Sequence, residues 1–325
     1  MGSHAGMKIG YFLSCEEWGP HDLIAQAVKA KEAGFEALWI SDHFHPWNDE
    51  QGHSPFVWSV IGAISQAAPG LPVTTAVTCP TVRTHPAVIA QAAATSAVML
   101  NGAFSLGVGT GEALNEHILG DPWPFAAERR EMLEEAIEVM RLLWEGGVRN
   151  HRGRHYRVEH ARIYDLPDTP PKVIVSGFGP RSVDMAARIG DGFCTVGPDG
   201  EAVKRFRDGA ARDDVVVQGG LKVCYGSDRD ECVRTVHRLW GNEALPGELA
   251  QILPTPSHFE QAMELVTEEM IAESTPCGPD LDRHFEQIDA YREAGFDELY
   301  VNQIGPDQDA FFDVYKREVL PKLRA

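Results

Sequence analysis

The chain has 325 residues, a length that fits either two ordinary domains or one large α/β barrel. Apolar residues make up 43% and charged residues 24%, which is the composition of a globular protein with a sizeable core and excludes a disordered chain. Acidic residues outnumber basic ones by 48 to 29, and the formal charge of −19 disfavours nucleic acid and anionic membranes as partners. We therefore expect a small, weakly charged ligand.

The two ends of the chain and the cysteines bear on where the protein works. The opening MGSHAG is typical of a cloning tag, so we expect residues 1–6 to be foreign and residues 7–325 to form one domain. No apolar run approaches the roughly 18 residues that a membrane-spanning helix needs. The six cysteines show no CxxC pair or regular spacing, so they are expected to be reduced. These features predict a soluble, cytoplasmic protein.

Short β-branched and aromatic runs alternate along the chain with longer segments of helical period, which is typical of a parallel sheet built from βα units. Eight strands are predicted, beginning near Lys8, Ala37, Pro72, Ala103, Lys172, Gly192, Val215 and Glu298. Eight such units predict a closed (β/α)8 barrel, also called a TIM barrel. An open doubly wound sheet would give the same pattern.

Two further features concern the organisation of the chain. The segments KEAGFEALWIS and REAGFDELYVN, near the two ends, almost repeat each other and favour the barrel over the open sheet. Residues 150–166 read like a hairpin, and residues 226–279 form a long polar and helical stretch. We interpret both as insertions into the barrel domain.

The reactive groups of a barrel gather where strands end, and the second strand is followed by SDHFHPW. Asp42 could orient His43, and a histidine is suited to proton transfer near neutral pH. Alternatively, Asp42 caps a turn and His43 is a structural residue. His43 and His45 also form an HxH pair, which would suit a zinc hydrolase, but strands five to eight end in no further histidine or aspartate. We therefore expect no metal.

Three more strand ends could contribute to a site. The third strand leads into the uncharged segment AVTCPT, and the fourth into GVGTGEALNE, whose glycines would let backbone amides approach a ligand. This loop lacks the GxGxxG spacing of a dinucleotide site, and Glu112 within it is either an acid or a solvent-facing turn residue. The fifth strand leads into SGFGPR and a helix start, which predicts an anion site beside Arg181.

The segments SDHFHPW, HSPF, HPAVIAQA and GVGTGEALNE together resemble the F420-dependent glucose-6-phosphate dehydrogenase family, a branch of the luciferase-like monooxygenase superfamily. The resemblance runs nearly end to end and is strongest over residues 37–125. It implies a barrel that binds coenzyme F420, passes a hydride between the deazaflavin C5 and a small substrate, and forms a homodimer.

The resemblance also implies residue roles. His43 would be the general base, Trp47 would wall the pocket, Glu112 would manage the proton at the ring nitrogen N1, and Asp42 would contact the cofactor. A cis peptide bond is implied between Ala76 and Val77. The implied cofactor-binding residues are Asp42, Ala76, Val77, Cys79, Thr110, Gly111, Asn115, Ser176, Gly177, Phe178, Gly179, Pro180 and Arg181.

The substrate side departs from the family. Relatives that oxidise glucose 6-phosphate hold its phosphate with lysines and an arginine. The gap-free match to the first lysine here is Asp199, and the approximate matches to the others fall at Gln261 and around Glu273-Ser274. A phosphate beside Asp199 and Glu273 would be repelled. We therefore expect a non-phosphorylated alcohol, carbonyl or imine substrate, in a pocket lined by His45, Trp47, Thr195, Val196 and Asp199.

Three alternatives remain open at this point. A monooxygenase of the same superfamily would use reduced FMN and oxygen, although Trp47 and the TGEALNE context favour the deazaflavin branch. A metal-dependent hydrolase would use His43 and His45. A non-catalytic relative would have kept the barrel and lost turnover, which the presence of Asp42, His43, Trp47 and Glu112 argues against.

Overall fold

A computed structural model describes residues 6–324, so residues 1–5 of the expected tag lie outside the described chain. Eight parallel strands close into a barrel, which confirms the (β/α)8 prediction and excludes the open sheet. The barrel strands are β1 (Lys8–Leu13), β2 (Leu38–Ile40), β3 (Val73–Thr75), β4 (Phe104–Val108), β7 (Lys172–Ser176), β8 (Gly192–Val196), β9 (Val216–Val223) and β10 (Glu298–Gln303). Their order around the barrel is β1-β10-β9-β8-β7-β4-β3-β2.

Helices follow the strands and form the outer layer and the excursions. The α-helices are α1 (Pro20–Ala33), α2 (Val57–Ala67), α3 (Pro86–Met99), α4 (Ala113–Glu116), α5 (Ala126–Trp144), α6 (Pro180–Ile189), α7 (Gly200–Gly209), α8 (Arg229–Trp240), α9 (Leu249–Ile252), α10 (Pro256–Met263), α11 (Glu268–Ser274), α12 (Leu281–Glu293), α13 (Gln308–Val314) and α14 (Leu320–Arg324). Two 3₁₀ turns span His117–Leu119 and Gly241–Ala244, and Tyr315–Val319 is a π-helical turn. Over residues 6–324, every helix is too short or too polar to cross a membrane.

The two nearly repeated segments, one near each end of the chain, have the same local structure. α1 ends at Gly34, whose φ of 100° lies in the left-handed region where glycine has no Cβ to clash. Gly295, just past α12, has a φ of 89°. Each glycine reverses the chain from a helix into a strand, and those two strands, β2 and β10, both pair with β1.

Aromatic residues fill the inside of the barrel beneath the strand ends. Trp39 stacks on Tyr300 with ring centroids 4.6 Å apart, and Phe12 meets the edge of Trp39 at 5.6 Å. The indole nitrogen of Trp39 donates to Gln218 at 3.0 Å, so this polar atom is satisfied within the core. Phe12 and Trp39 thus form an apolar base beneath the strand ends, where a ligand of the barrel would bind.

The two expected insertions lie outside the barrel. The first is an antiparallel hairpin of β5 (Arg149–Arg152) and β6 (Arg157–Ala161). The second begins after β9 and comprises α8 to α11 around a separate apolar cluster that includes Trp240, and Trp47 packs against this cluster. The insertion is therefore joined to the loop that carries the candidate catalytic residues. The single-domain assignment and the homodimer stay predictions.

Candidate active site

Closing eight parallel strands into a barrel brings their carboxyl ends to one rim, and the polar residues of the first four strand ends meet there. His43 makes the central contacts. Its Nδ1 lies 3.1 Å from the carbonyl oxygen of His45, and its Nε2 lies 3.3 Å from Oε1 of Glu16. A carbonyl only accepts, so Nδ1 carries the proton in the neutral ring and Nε2 is left free to take one.

Glu16 follows β1 and is only 2% exposed. Its Oε2 accepts hydrogen bonds from Ser14 at 2.8 Å and from Ser41 at 2.7 Å. Burial by itself would raise the pKa of Glu16, but His43 and the two serines outweigh burial and hold this pKa below its usual range. Glu16 is therefore a buried negative charge that faces Nε2 of His43.

Trp47 forms one wall beside the imidazole. Its ring centroid lies 4.9 Å from that of His43, with the two planes at 61°. On its other side it meets Phe259 of α10 at 5.0 Å, and Phe259 is completely buried. The insertion thus holds Trp47 in place against His43.

Asp42 does not orient His43, in contrast to our expectation. Its carboxylate accepts from Thr78 at 2.8 Å and from Arg83 at 3.1 Å. Arg83 also reaches Glu116, with Nε and Oε1 3.4 Å apart, while its backbone N–H donates to Oε2 at 2.7 Å. Burial raises the pKa of Glu116 to about 7 although Arg83 opposes the rise. Asp42 bonds to Thr78, which follows β3, whereas the carboxylate beside His43 is that of Glu16, which follows β1.

Two adjoining cavities open at this rim. The first, which we call the chamber, has a volume of about 370 Å³ and is lined by Glu16, His43, Trp47 and Glu112 together with residues of the second insertion. The second, the groove, has a volume of about 640 Å³ and runs along the loop after β4 and the start of α6. Val77, Glu112, Ser176 and Phe178 line both, so the two cavities meet beside the candidate catalytic residues.

Glycines shape the groove. Gly111 has a φ of 79°, and a Cβ there would lie 2.5 Å from the sulfur of Cys79, so only glycine fits. Gly179 also lines the groove, and a Cβ there would meet no protein atom within 4 Å. Arg130 and Arg181 also line it, and the N-terminus of α6 adds a partial positive charge. Glu112 and Glu248 line the groove as well, so it suits a ligand whose anionic group lies by Arg181 at the start of α6 rather than one that is anionic throughout.

Most of the residues expected at the site line one cavity or both. In the chamber these are His43, Trp47, Ala76, Val77, Glu112, Ser176, Phe178, Thr195 and Val196. In the groove they are Val77, Thr110, Gly111, Glu112, Ser176, Gly177, Phe178, Gly179, Pro180 and Arg181. The peptide bond between Ala76 and Val77 is cis, which confirms that expectation.

Five expected residues, Asp42, His45, Cys79, Asn115 and Asp199, line neither cavity. Asn115 accepts from the backbone N–H groups of Phe44 and His45 and so fixes their loop. The sulfur of Cys79 contacts the hydroxyl of Thr81 at 2.9 Å. Asp199 caps α7 by accepting from the backbone of Ala202, so the expectation that it lines the substrate pocket is corrected.

His45 also departs from the expected role. Its Nδ1 lies 2.9 Å from the carbonyl oxygen of Leu114, whereas His43 turns its Nδ1 to the carbonyl of His45 and its Nε2 to Glu16. The HxH pair therefore does not converge on one point, as a shared zinc ion would require. Among residues 6–324, no group of three or more His, Cys, Asp and Glu side chains is arranged to hold a metal ion.

Glu16, Arg83 and the part of the insertion that reaches the chamber were not among the residues predicted from the sequence. Glu16 had a usable signal, because it follows the first predicted strand just as His43 follows the second. Arg83 had no such signal, since its importance comes from two carboxylates on other segments. Lys222, Trp240 and Asn242 also line the chamber.

Comparisons with known proteins agree with the barrel fold and find relatives over almost the whole chain. The family model described as luciferase-like monooxygenase matches residues 7–298. A protein of Amycolatopsis mediterranei named F420-dependent glucose-6-phosphate dehydrogenase is 36% identical over 98% of this chain and 99% of its own. The solved structure of an F420-dependent secondary alcohol dehydrogenase in complex with an F420-acetone adduct is 30% identical, with a TM-score of 0.91 over 98% of this chain and 100% of its own. An F420-dependent tetrahydromethanopterin reductase from Methanopyrus kandleri, 20% identical with a TM-score of 0.79 over 98% of this chain and 100% of its own, shares the fold.

The role of Arg83 leads to a stability prediction. Arg83→Met should lower the free energy of unfolding by about 3 kcal/mol, because it leaves the buried carboxylate of Asp42 without its cation, while Glu116, whose pKa burial raises to about 7, can take up a proton. Urea denaturation of the ligand-free protein measures the change. Arg238→Met is the matched control, since its ion pair with Glu50 is more than half exposed and should contribute little. Equal effects of the two substitutions would show that Arg83 has no such role.

Proposed function

Because the chain belongs to the luciferase-like monooxygenase family and is related over almost its whole length to F420-dependent glucose-6-phosphate dehydrogenases, we propose that it is an oxidoreductase that uses coenzyme F420. It passes a hydride to or from a small, non-phosphorylated organic substrate. The observation that carries the proposal is the pairing of His43 with Glu16 in a chamber that opens onto the groove.

The residues of the groove fit this cofactor. Coenzyme F420 supplies a deazaflavin ring that accepts or donates a hydride at C5, and it carries a phosphate-bearing tail. We assign the ring to the junction of chamber and groove, against Val77 and Glu112. Arg130, Arg181 and the start of α6, which line the groove, would hold the phosphate-bearing tail. Reduced FMN, the alternative, is also flat and phosphorylated, so it is tested directly below.

His43 is the proton-transfer residue of the proposal. In the direction of oxidation, Nε2 takes the proton of the substrate hydroxyl, and Glu16 stabilises the imidazolium that results. Trp47 restricts the space beside the imidazole and so limits the orientations that a substrate adopts. Glu112 lines both cavities, and we assign it the proton at the ring nitrogen N1. Asp42 acts through Arg83 on the loops and is a positioning residue.

The substrate side supports a molecule without phosphate. Gln261, at one of the positions where relatives carry a cation, is exposed and bonds to Ser257. Asp199 at another caps α7. Of the described residues that line the chamber, Lys222 is the one lysine or arginine, and Glu243 lies 2.8 Å from its nitrogen. A phosphate dianion would find no uncompensated positive side chain there.

Cofactor choice is tested by titrating the purified protein with F420 and with FMN, following the absorbance or fluorescence of each. We expect saturable binding of F420 and at least tenfold weaker binding of FMN, since a difference of about 1.4 kcal/mol corresponds to tenfold. Preferential binding of FMN would instead support the monooxygenase.

The role of His43 is tested by His43→Gln. We expect kcat for hydride transfer to fall by about 10²- to 10⁴-fold, because a positioned base contributes that much, while F420 still binds with nearly the wild-type Kd. His21→Gln, at an exposed position of α1, is the control and should change neither quantity. Full activity of His43→Gln would exclude His43 as the base.

Glucose 6-phosphate is the discriminating substrate. Steady-state assays with F420 should show little or no oxidation of it, because the chamber offers only the compensated cation of Lys222. Non-phosphorylated secondary alcohols and the corresponding ketones are assayed in parallel, in both directions. Oxidation of glucose 6-phosphate as fast as the best alcohol would contradict the non-phosphorylated substrate and leave the use of F420 intact.

A further inference from the structure

One wall of the chamber comes from the second insertion and from the end of β9, and it carries polar groups that the proposed hydride transfer does not use. Trp240 ends α8, and Asn242 and Glu243 lie on the 3₁₀ turn that follows it. Lys222 reaches the same place from β9. We call Lys222, Asn242 and Glu243 the polar trio.

Lys222 is held tightly and its charge is compensated. Its Nζ lies 2.8 Å from Oε1 of Glu243, 4.4 Å from the ring centroid of Trp240 and 5.5 Å from that of Phe12. Its side chain is only 13% exposed. Contacts with an anion and with two aromatic faces keep the ammonium group at the chamber wall. It remains a hydrogen-bond donor, since an ammonium group carries three N–H bonds.

Asn242 is the unsatisfied member of the trio. The residue is 4% exposed, and its Oδ1 has no hydrogen-bond partner among the described residues. The Oδ1 atom is itself buried, so a ligand in the chamber reaches it when the amide turns. Because a buried polar side chain is normally hydrogen-bonded, an unpartnered amide on the chamber wall indicates that a ligand completes it. Either end of the amide could serve, since its oxygen and nitrogen are nearly equivalent in shape.

The trio combines a cation, an anion and a neutral amide, and this combination selects among ligand groups. A phosphate or carboxylate attracted by Lys222 would be repelled by Glu243. An ammonium group attracted by Glu243 would be repelled by Lys222. A hydroxyl group carries no charge, donates one hydrogen bond and accepts others, so it can satisfy all three members.

Resting on the F420-dependent hydride transfer proposed above, we propose that the polar trio recognises a second hydroxyl group of the substrate, which is an uncharged alcohol with at least two hydroxyls, or the hydroxyketone formed from it. One hydroxyl meets His43 and is oxidised. The other is bound by Asn242 and is chemically unchanged. Trp47 and Trp240 line the same chamber and border the carbon skeleton.

The proposal is tested with a matched pair of substrates, butane-2,3-diol and butan-2-ol, which differ by one hydroxyl. With F420 bound, the wild-type kcat/KM should favour the diol by about tenfold or more, the discrimination expected when a site bonds a substrate hydroxyl. Asn242→Leu keeps the approximate size of the side chain and removes its hydrogen bonds, so this ratio should fall to about one. Gln261→Leu, an exposed position on α10 of the same insertion, is the control and should keep the wild-type ratio.

A second measurement does not need turnover. Trp47 and Trp240 line the chamber, so their fluorescence reports ligand binding in the cofactor-free protein. The diol should bind more tightly than butan-2-ol to the wild-type protein, and equally to Asn242→Leu. Thermal unfolding verifies that the variant is folded, and if it is not, Asn242→Ser is measured in its place, with the diol preference again reduced.

The outcomes distinguish recognition by the polar trio from the proposed F420-dependent reaction. Equal use and equal binding of the two alcohols by the wild-type protein would overturn recognition by the trio and leave F420-dependent oxidation standing. A diol preference in the fluorescence titration that Asn242→Leu abolishes, with no F420-dependent turnover of the alcohols or of the corresponding ketones, would support the trio and contradict oxidation of the bound diol. Glu243→Gln adds a check of sign: it frees the charge of Lys222, so lactate should gain in kcat/KM relative to the diol, and no gain would contradict the charge balance.

Discussion

The rim of this barrel depends on the compensation of three buried carboxylates. Glu16 is held by two serines and faces His43, while Asp42 and Glu116 share Arg83. A buried charge without a partner is costly, so these contacts fix the loops after the first four strands relative to one another. The imidazole, the indole beside it and the two cavities keep their places because this charge network does not readily rearrange. Charge contacts between the loops thus hold the site, and the apolar barrel positions those loops.

The barrel could be predicted from the sequence because its signals are local. Each of the eight strands is a short apolar run bounded by turn residues, and near-identical modules precede β2 and β10. The pairing of Asp42 with His43 was predicted wrongly for the opposite reason. Neighbours in a tight loop point in different directions, and the true partner, Glu16, lies 27 positions earlier and meets His43 only when β1 and β2 pair.

The residues of the substrate wall were harder still to predict from the sequence. Asn242 and Glu243 sit in a polar helical stretch whose composition predicts only a solvated excursion. They reach the chamber because α8 ends at Trp240 and the chain turns there, and because α10 and α11 pack beneath that turn. Asp199 shows the converse, since it matches a family position in sequence yet caps a helix. Matching positions identify a cofactor groove better than a substrate wall, because the groove belongs to the strand ends and the wall to an insertion.

The segment of the insertion around Gly247 and Gln251 borders the chamber and the groove alike. A molecule in either cavity therefore presses on the same stretch of backbone. Where an adjustment of that stretch to one occupant changes the affinity for the other, the change is by the same factor in both directions, since binding equilibria at two coupled sites are reciprocal. Exchanging this insertion between relatives would then retune cofactor affinity together with substrate choice, so the two properties are expected to evolve jointly.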